Sequence, residues 1–214
     1  MKKSFLTIAL LLFSAIITYA QRENEDGQLI KNHSFENEAK PIRNRRFGPN
    51  GEGELFGGYL PAGIIPGWMI IANNQEEASK IEITSEELLD EAQHKALRWI
   101  IIQAKTTEPA TIANVGYHGI EAIKGNKYTL TFWARADKKY KGQLHVGLQG
   151  KSLDGTWYAH ASVRGNIKKK WKKYSITFVA EHSAENARFA ITADTPGTLY
   201  IDEVSLYYPT EIKR

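Results

Sequence analysis

The chain has 214 residues, a formal net charge of +4, 42% hydrophobic residues and no cysteine. That length suits one domain, which must hold its core by packing, or by packing plus a metal, without disulfides. Two of the positive charges, Lys2 and Lys3, lie in a leader, and the remaining excess is too mild to argue for nucleic acid.

Residues 1–20 have the layout of a secretory signal peptide. Lys2 and Lys3 form a positive start, Phe5–Ile17 is apolar except for Thr7 and Ser14, and Ala20 supplies the small residue for cleavage. The apolar run is too short for a membrane span and is followed at once by a polar lead-in, residues 21–28. The mature chain is therefore expected to be secreted or periplasmic and free of the membrane.

The predicted elements then follow in order. Leu29–Ser34 reads as a short first strand. Residues 37–67 hold Pro41, Pro49, Pro61, Pro66 and seven glycines with no sustained apolar period, and read as a long surface loop. Trp68–Ala72 reads as a strand after a Pro-Gly turn. Ser85–Lys95 is the one helix-like patch, with Ser85 as N-cap and Glu86 and Glu87 in the first turn. From there the pattern is β throughout: 97–104, 111–114, 127–135, 143–149, 157–163, 174–180, 187–193 and 198–206. In 127–135, Tyr128, Leu130, Phe132 and Ala134 alternate with Thr129, Thr131, Trp133 and Arg135. Short strands with spaced turns such as Lys124-Gly125-Asn126 and Pro196-Gly197 predict an all-β fold, an antiparallel β-sandwich. It spans 29–209, with 210–214 as a tail.

No pair of carboxylates, metal-spaced histidines or phosphate loop stands out. Glu86, Glu87, Asp90 and Glu91 read as a solvated helix face. What remains is aromatic and polar surface. A sugar offers apolar C–H faces and many hydroxyls, so its site pairs rings with planar hydrogen-bonding groups. Trp133 and Arg135 share one strand face, His145 and Gln149 the polar face of the next, and Trp157, Tyr158 and His160 follow on a third. If these strands are neighbours, they make one sugar-binding face. Trp68 and Trp99, in apolar runs, are expected in the core. The run Lys168-Lys169-Lys170-Trp171-Lys172-Lys173 would suit nucleic acid or an acidic polysaccharide, but reads more simply as a charged edge that resists aggregation.

Beyond composition, several runs carry a resemblance. They are Gln28-Leu29-Ile30-Lys31-Asn32-His33-Ser34-Phe35-Glu36, Gly67-Trp68, Ala96-Leu97-Arg98-Trp99, Asn114–Tyr128, Thr131-Phe132-Trp133-Ala134-Arg135, Trp171–Phe178 and Pro196–Leu206. In this order and spacing the chain resembles the N-terminal carbohydrate-binding jelly roll of bacterial secreted α-L-arabinofuranosidases. The catalytic barrel that follows in those enzymes has no counterpart here, so their hydrolase activity does not carry over. The resemblance implies a jelly roll that binds plant cell-wall polysaccharide without catalysis, with a separate glycoside hydrolase catalytic domain as a candidate partner. Its rivals are a truncated or split arabinofuranosidase, and an accessory domain that packs on a partner enzyme. Such jelly rolls often carry a structural calcium held by acids of the first and last strands, and Glu36 and Asp202 occupy those places.

Overall fold

A computed structural model of the chain describes residues 28–36, 65, 67–71, 78–86, 88–89, 95–114, 116, 119–150 and 157–207. The leader, most of the 37–67 loop and the 210–214 tail lie outside the described residues.

Among the described residues there are eleven strands and no helix. They are β1 (Trp68–Ile71), β2 (Ser79–Thr84), β3 (Ala96–Ile101), β4 (Ala110–Asn114), β5 (Ile120–Ala122), β6 (Lys127–Ala136), β7 (Leu144–Gln149), β8 (Trp157–Ser162), β9 (Lys172–Val179), β10 (Ala184–Ala193) and β11 (Gly197–Tyr207). One sheet runs β1-β4-β10-β7-β8, with β5 added to β10; the other runs β2-β3-β11-β6-β9. Every pairing is antiparallel. The fold is the predicted all-β sandwich.

The inner faces follow the alternation of the sequence. On β6, Tyr128, Leu130, Phe132 and Ala134 are wholly buried, and they meet Leu144, Val146 and Leu148 of β7 and Phe189 and Ile191 of β10 in one core. Phe132 stacks on Tyr174 of β9 at 5.4 Å between ring centroids, and Tyr128 on Phe178 at 6.0 Å. Trp68 and Trp99 are core residues, as expected. Gly197 opens β11 where a Cβ would stand 2.6 Å from Tyr140 Cβ, so only glycine lets the two segments pass.

Three local expectations are corrected. Leu29–Ser34 is not a strand. Gln28 makes a single bridge to Tyr207, then the chain turns through Asn32 and Phe35, both in the left-handed region at φ 52° and 58°. The apolar run in this segment is a plug: Leu29, Ile30 and Phe35 are buried, and Phe35 packs on Trp68 at 5.2 Å. In the helix-like patch, the described residues Ser85, Glu86, Leu88 and Leu89 are not helical. Thr84 Oγ1 accepts the Glu86 N–H at 3.0 Å, so the polar cap stops a strand instead of starting a helix. Finally, β2 and β5 were not predicted; β2 has a clear signal in Ile81 and Ile83, which pack against the core between Lys80 and Glu82.

Phe132→Ala should therefore lower stability by about 3–5 kcal/mol, the cost of an aromatic cavity in a closed core. Trp133→Ala, one residue along but half-exposed, should cost less. Urea denaturation of the two variants checks the order; a larger loss at Trp133 would invert the face assignment of β6.

Candidate functional site

The pairing of the first sheet lays its outer face out in rows. One row is Met69, Ala113, Ala190, Gly147 and His160, contributed in turn by β1, β4, β10, β7 and β8. Two residues along each strand lies a second row, Ile71, Thr111, Thr192, His145 and Ser162. On the other side lies a third, Arg188, Gln149 and Trp157.

The first row is small in its middle. Met69, Ile71, Ala113 and Ala190 form an apolar cluster separate from the interior core, and Trp157 packs against it. A side chain on Gly147 would strike the β8 backbone, with its Cβ 2.0 Å from the Ala159 carbonyl oxygen. The result is a low apolar layer in which Ala113 and Ala190 are wholly buried and Met69 and Ile71 nearly so, while the Trp157 and His160 rings at its β8 end reach the surface. Those two rings stand 5.7 Å apart, tilted by 42°.

Polar groups border this layer on both sides. In the second row, Ser162 Oγ and His145 Nδ1 are 2.9 Å apart, and Thr111 Oγ1 and Thr192 Oγ1 3.2 Å apart. In the third, Arg188 is wholly buried, and its Nε and Nη2 both donate to Gln149 Oε1, at 3.0 and 2.8 Å. Burial pulls the Arg188 guanidinium down to about 10, so it remains cationic at neutral pH. The fork onto a single amide oxygen fixes Gln149 and leaves the geometry of both side chains rigid. The three rows carry no carboxylate.

Of the sequence-predicted residues, the fold brings His145, Gln149 and Trp157 to this face. Tyr158 is not with them. The β7–β8 register shifts so that Leu148 pairs Ala159 and Gln149 pairs Trp157, leaving Tyr158 as the extra residue of a bulge. It packs against the interior core and beside Gly150. Trp133 and Arg135 are elsewhere too. Their strand, β6, lies between β11 and β9 in the other sheet, so the expectation that β6 and β7 are neighbours fails. On that second outer face, the Arg135 guanidinium stacks 4.3 Å from the Tyr200 ring centroid. Trp133, Trp171, Thr131, Lys173, Glu203 and Ser205 line a shallow pocket.

Arg188 was missed by the sequence reading. The signal was available: in Ala187–Ala193, Arg188, Ala190 and Thr192 alternate against Phe189 and Ile191, and a lone arginine on such a strand marks a special environment. Met69 and Ala113 carried no such signal, because small and apolar residues read as core.

The expected metal residues are placed apart in role. Glu36 is exposed, and its Oε1 accepts the Lys95 N–H at 3.2 Å. Asp202 is wholly buried in β11, where its Oδ1 accepts the Glu203 N–H at 2.8 Å. Among the described residues no group of three or more His, Cys, Asp or Glu side chains is arranged to hold a metal ion.

Comparison with known proteins agrees with this fold. The model of a family described as a carbohydrate binding domain, CBM_4_9, matches residues 27–197. No curated protein matches in sequence. Among solved structures, an arabinose-bound GH51 α-L-arabinofuranosidase is similar at TM-score 0.61 and 20% identity, over 90% of this chain and 28% of that one. This chain thus spans little more than a quarter of that enzyme. A protein from Bacteroides thetaiotaomicron is similar at TM-score 0.52 and 13% identity, over 85% of this chain and 100% of that one. The CBM22-1 xylan-binding domain from Paenibacillus barcinonensis Xyn10C is similar at TM-score 0.50 and 11% identity, over 84% of this chain and 94% of that one. The fold, and above all the family match across most of the sandwich, make the chain a member of the CBM_4_9 carbohydrate-binding domain family.

Proposed function

We propose that this carbohydrate-binding module holds a plant cell-wall polysaccharide on the outer face of the β1-β4-β10-β7-β8 sheet. The observation that carries the reading is the pair of Trp157 and His160 rings that reach the surface at the β8 end of this face, beside the His145–Ser162 pair. The Trp157 and His160 rings offer a surface to the C–H face of a sugar ring, His145 and Ser162 beside them supply hydrogen bonds, and the nearly buried Gln149 supports Trp157 from the neighbouring strand. Binding of this kind needs no reaction at the site. We assign the protein to the secreted or periplasmic space on the strength of the 1–20 leader pattern. Its partnership with a glycoside hydrolase is proposed from the similarity to an enzyme more than three times as long as the matched part.

The test is titration of purified residues 21–214 with a panel of soluble plant oligosaccharides by calorimetry. Trp157→Ala should weaken the binding of whichever member binds by about 1–3 kcal/mol, the range for a ring stacked on a planar ligand. Unchanged affinity in a folded variant would remove Trp157 from the site. Gln149→Leu should act differently. It strips an acceptor from the buried Arg188, and should lower stability by about 1.5–3 kcal/mol as well as affinity. A variant as stable as the parent would refute the structural role given to the Arg188–Gln149 fork.

We also propose a calcium ion at Asp202, with Glu36 as the second acid. The support is that Asp202 is a wholly buried carboxylate, a group that needs a cation or several donors to remain charged. In a calcium-replete sample, a chelator should lower the Tm of the parent but not of Asp202→Asn. A parent Tm that ignores the chelator would exclude the ion.

A further inference from the structure

The Trp157 and His160 rings and the His145–Ser162 pair offer a hold for a neutral chain, but they leave a charged feature of the molecule unused. β8 and β9 are the edge strands of the two sheets, and they come together at one side of the sandwich. Between them lies a cleft of about 600 Å³. Its lining includes Arg164, Lys172 and Lys173 and no carboxylate; the remainder is hydroxyl and apolar, with Ser162, Ser175 and Thr177 on its walls.

Three observations bear on what this cleft takes. First, the cations stand in the open. Arg164, Lys172 and Lys173 are exposed, and Lys168, Lys169 and Lys170 extend the same sign along the approach to β9. Charged side chains on an edge strand resist pairing with another sheet; here six cations gather on one side of the sandwich, with no carboxylate in the cleft lining. Second, the cleft has a firm floor. Tyr174 is buried, stacked on Phe132, and its hydroxyl accepts the Lys168 N–H at 3.1 Å. The Lys172 ammonium stands 5.6 Å from the Tyr174 ring centroid, so its position is biased toward the cleft. Third, the cleft is continuous with the sugar face. Ser162 lines it and also contacts His145 at 2.9 Å, in the row that borders the apolar layer.

We propose that the β8–β9 cleft takes an oxyanion borne by the sugar chain, a uronate carboxylate or a sulfate ester, so that the ligand of this module is an acidic polysaccharide. The proposal rests on the reading of the neighbouring face as a sugar site. The neutral part of the chain lies against the Trp157 and His160 rings, passes the His145–Ser162 pair, and presents its charged substituent to Arg164, Lys172 and Lys173. Arginine suits the planar carboxylate by bidentate contact, and the lysines act as point charges at the mouth. Nucleic acid fits the cleft less well. The one ring in its lining, Tyr174, is buried and stacked on Phe132, so it gives a base no free face to stack on.

The experiment uses residues 21–214 and polymers in matched pairs. Glucuronoxylan, rhamnogalacturonan and a glucuronate-bearing arabinogalactan are each compared with a carboxyl-reduced form, and carrageenan with its desulfated form. Affinity electrophoresis and calorimetry are run at about 20 mM and about 300 mM salt, where screening differs strongly. At low salt the parent should bind at least one charged polymer about tenfold tighter than its neutralised twin, as for one charge-assisted contact at a partly exposed site. High salt should close most of that gap. The triple variant Arg164→Gln/Lys172→Gln/Lys173→Gln should bind both members of the pair alike, at the level of the neutralised polymer. A control that removes equal charge elsewhere, Lys80→Gln/Lys105→Gln/Lys124→Gln, should keep the preference. Carboxyl reduction and desulfation tell the two oxyanion sources apart.

Equal binding of charged and neutralised polymers by the parent would overturn the proposal and leave the sugar site standing. Loss of the preference in the control variant would overturn it too, by reducing the effect to net charge. So would binding of a duplex DNA oligomer as tight as that of the best polysaccharide. Binding of no polymer of either kind would overturn both the cleft and the reading on which it rests.

Discussion

The sandwich depends on a short N-terminal hook that is hydrogen-bonded to both sheets at once. Gln28 clips it to the second sheet: its Oε1 accepts the N–H of Ile30 and of Leu206, at 3.2 and 2.9 Å, and its Nε2 donates to the Val204 carbonyl at 3.2 Å. Asn114 of β4 clips it to the first: its Nδ2 donates to the Lys31 carbonyl at 2.8 Å, and its Oδ1 accepts the N–H of Lys31 and of Gly116. Both amides are buried, where an unmade hydrogen bond costs more than a made one contributes. The hook then seats Leu29, Ile30 and Phe35 between the sheets, with Phe35, Trp68 and Phe189 in successive ring contacts of 5.2 and 6.3 Å. Without a disulfide, this is the device that fixes the distance and register between β11 and β4.

That constraint reaches the sugar face through β10. Residues 187–193 of β10 are buried on both sides, which is unusual for a strand whose sheet has one inner face. Phe189 and Ile191 point into the core that the hook closes, and the other parity, Arg188, Ala190 and Thr192, builds the outer face. A shift of one residue would exchange the two sets, placing a guanidinium in the core and a phenylalanine across the apolar layer. The interior packing thus sets the register of the binding face, and the rigidity of that face is inherited from the core. Gly147 completes the coupling. Its lack of a side chain brings β7 and β8 together and sets the position from which Trp157 and His160 overhang the apolar layer.

What was readable in the sequence divides along the same physical line. Strands with strict alternation were readable, because one buried face imposes period two: 127–135 was expected and β6 covers Lys127–Ala136. The hook was not, because Leu29-Ile30 with Phe35 is as apolar as a strand, and only the left-handed φ at Asn32 and Phe35 betrays the turn. For the site, Trp157, His145 and Gln149 were recognised as surface rings and planar groups, and that reading depends only on local alternation. Which strands lie side by side depends on long-range pairing, and chain order is a poor guide to it in a sandwich whose connections cross between sheets. β6 and β7 are consecutive, yet belong to different sheets, and this alone separates Trp133 and Arg135 from the other residues. Tyr158 was lost to a one-residue bulge, which has no sequence period. Arg188 was lost because an arginine on an apolar strand was passed over, not because the signal was absent.

The two parts of the binding surface differ in how their energies respond to the surroundings, and this bears on what each contributes. Contact between the Trp157 and His160 rings and a sugar ring, as proposed, would be short-ranged and nearly indifferent to salt, so it would supply affinity and set how long a chain remains bound. The field of Arg164, Lys172, Lys173 and the lysine run before β9 reaches about a Debye length, roughly 8–10 Å at ordinary salt. A field of that range acts before contact; it raises the rate of encounter with an acidic chain and orients the charged side toward β8 and β9. It contributes little to a neutral chain once seated. In the proposed arrangement, affinity for the backbone and preference for its charged substituents would reside on different residues, joined at the His145–Ser162 pair, so either property could change by substitution without loss of the other.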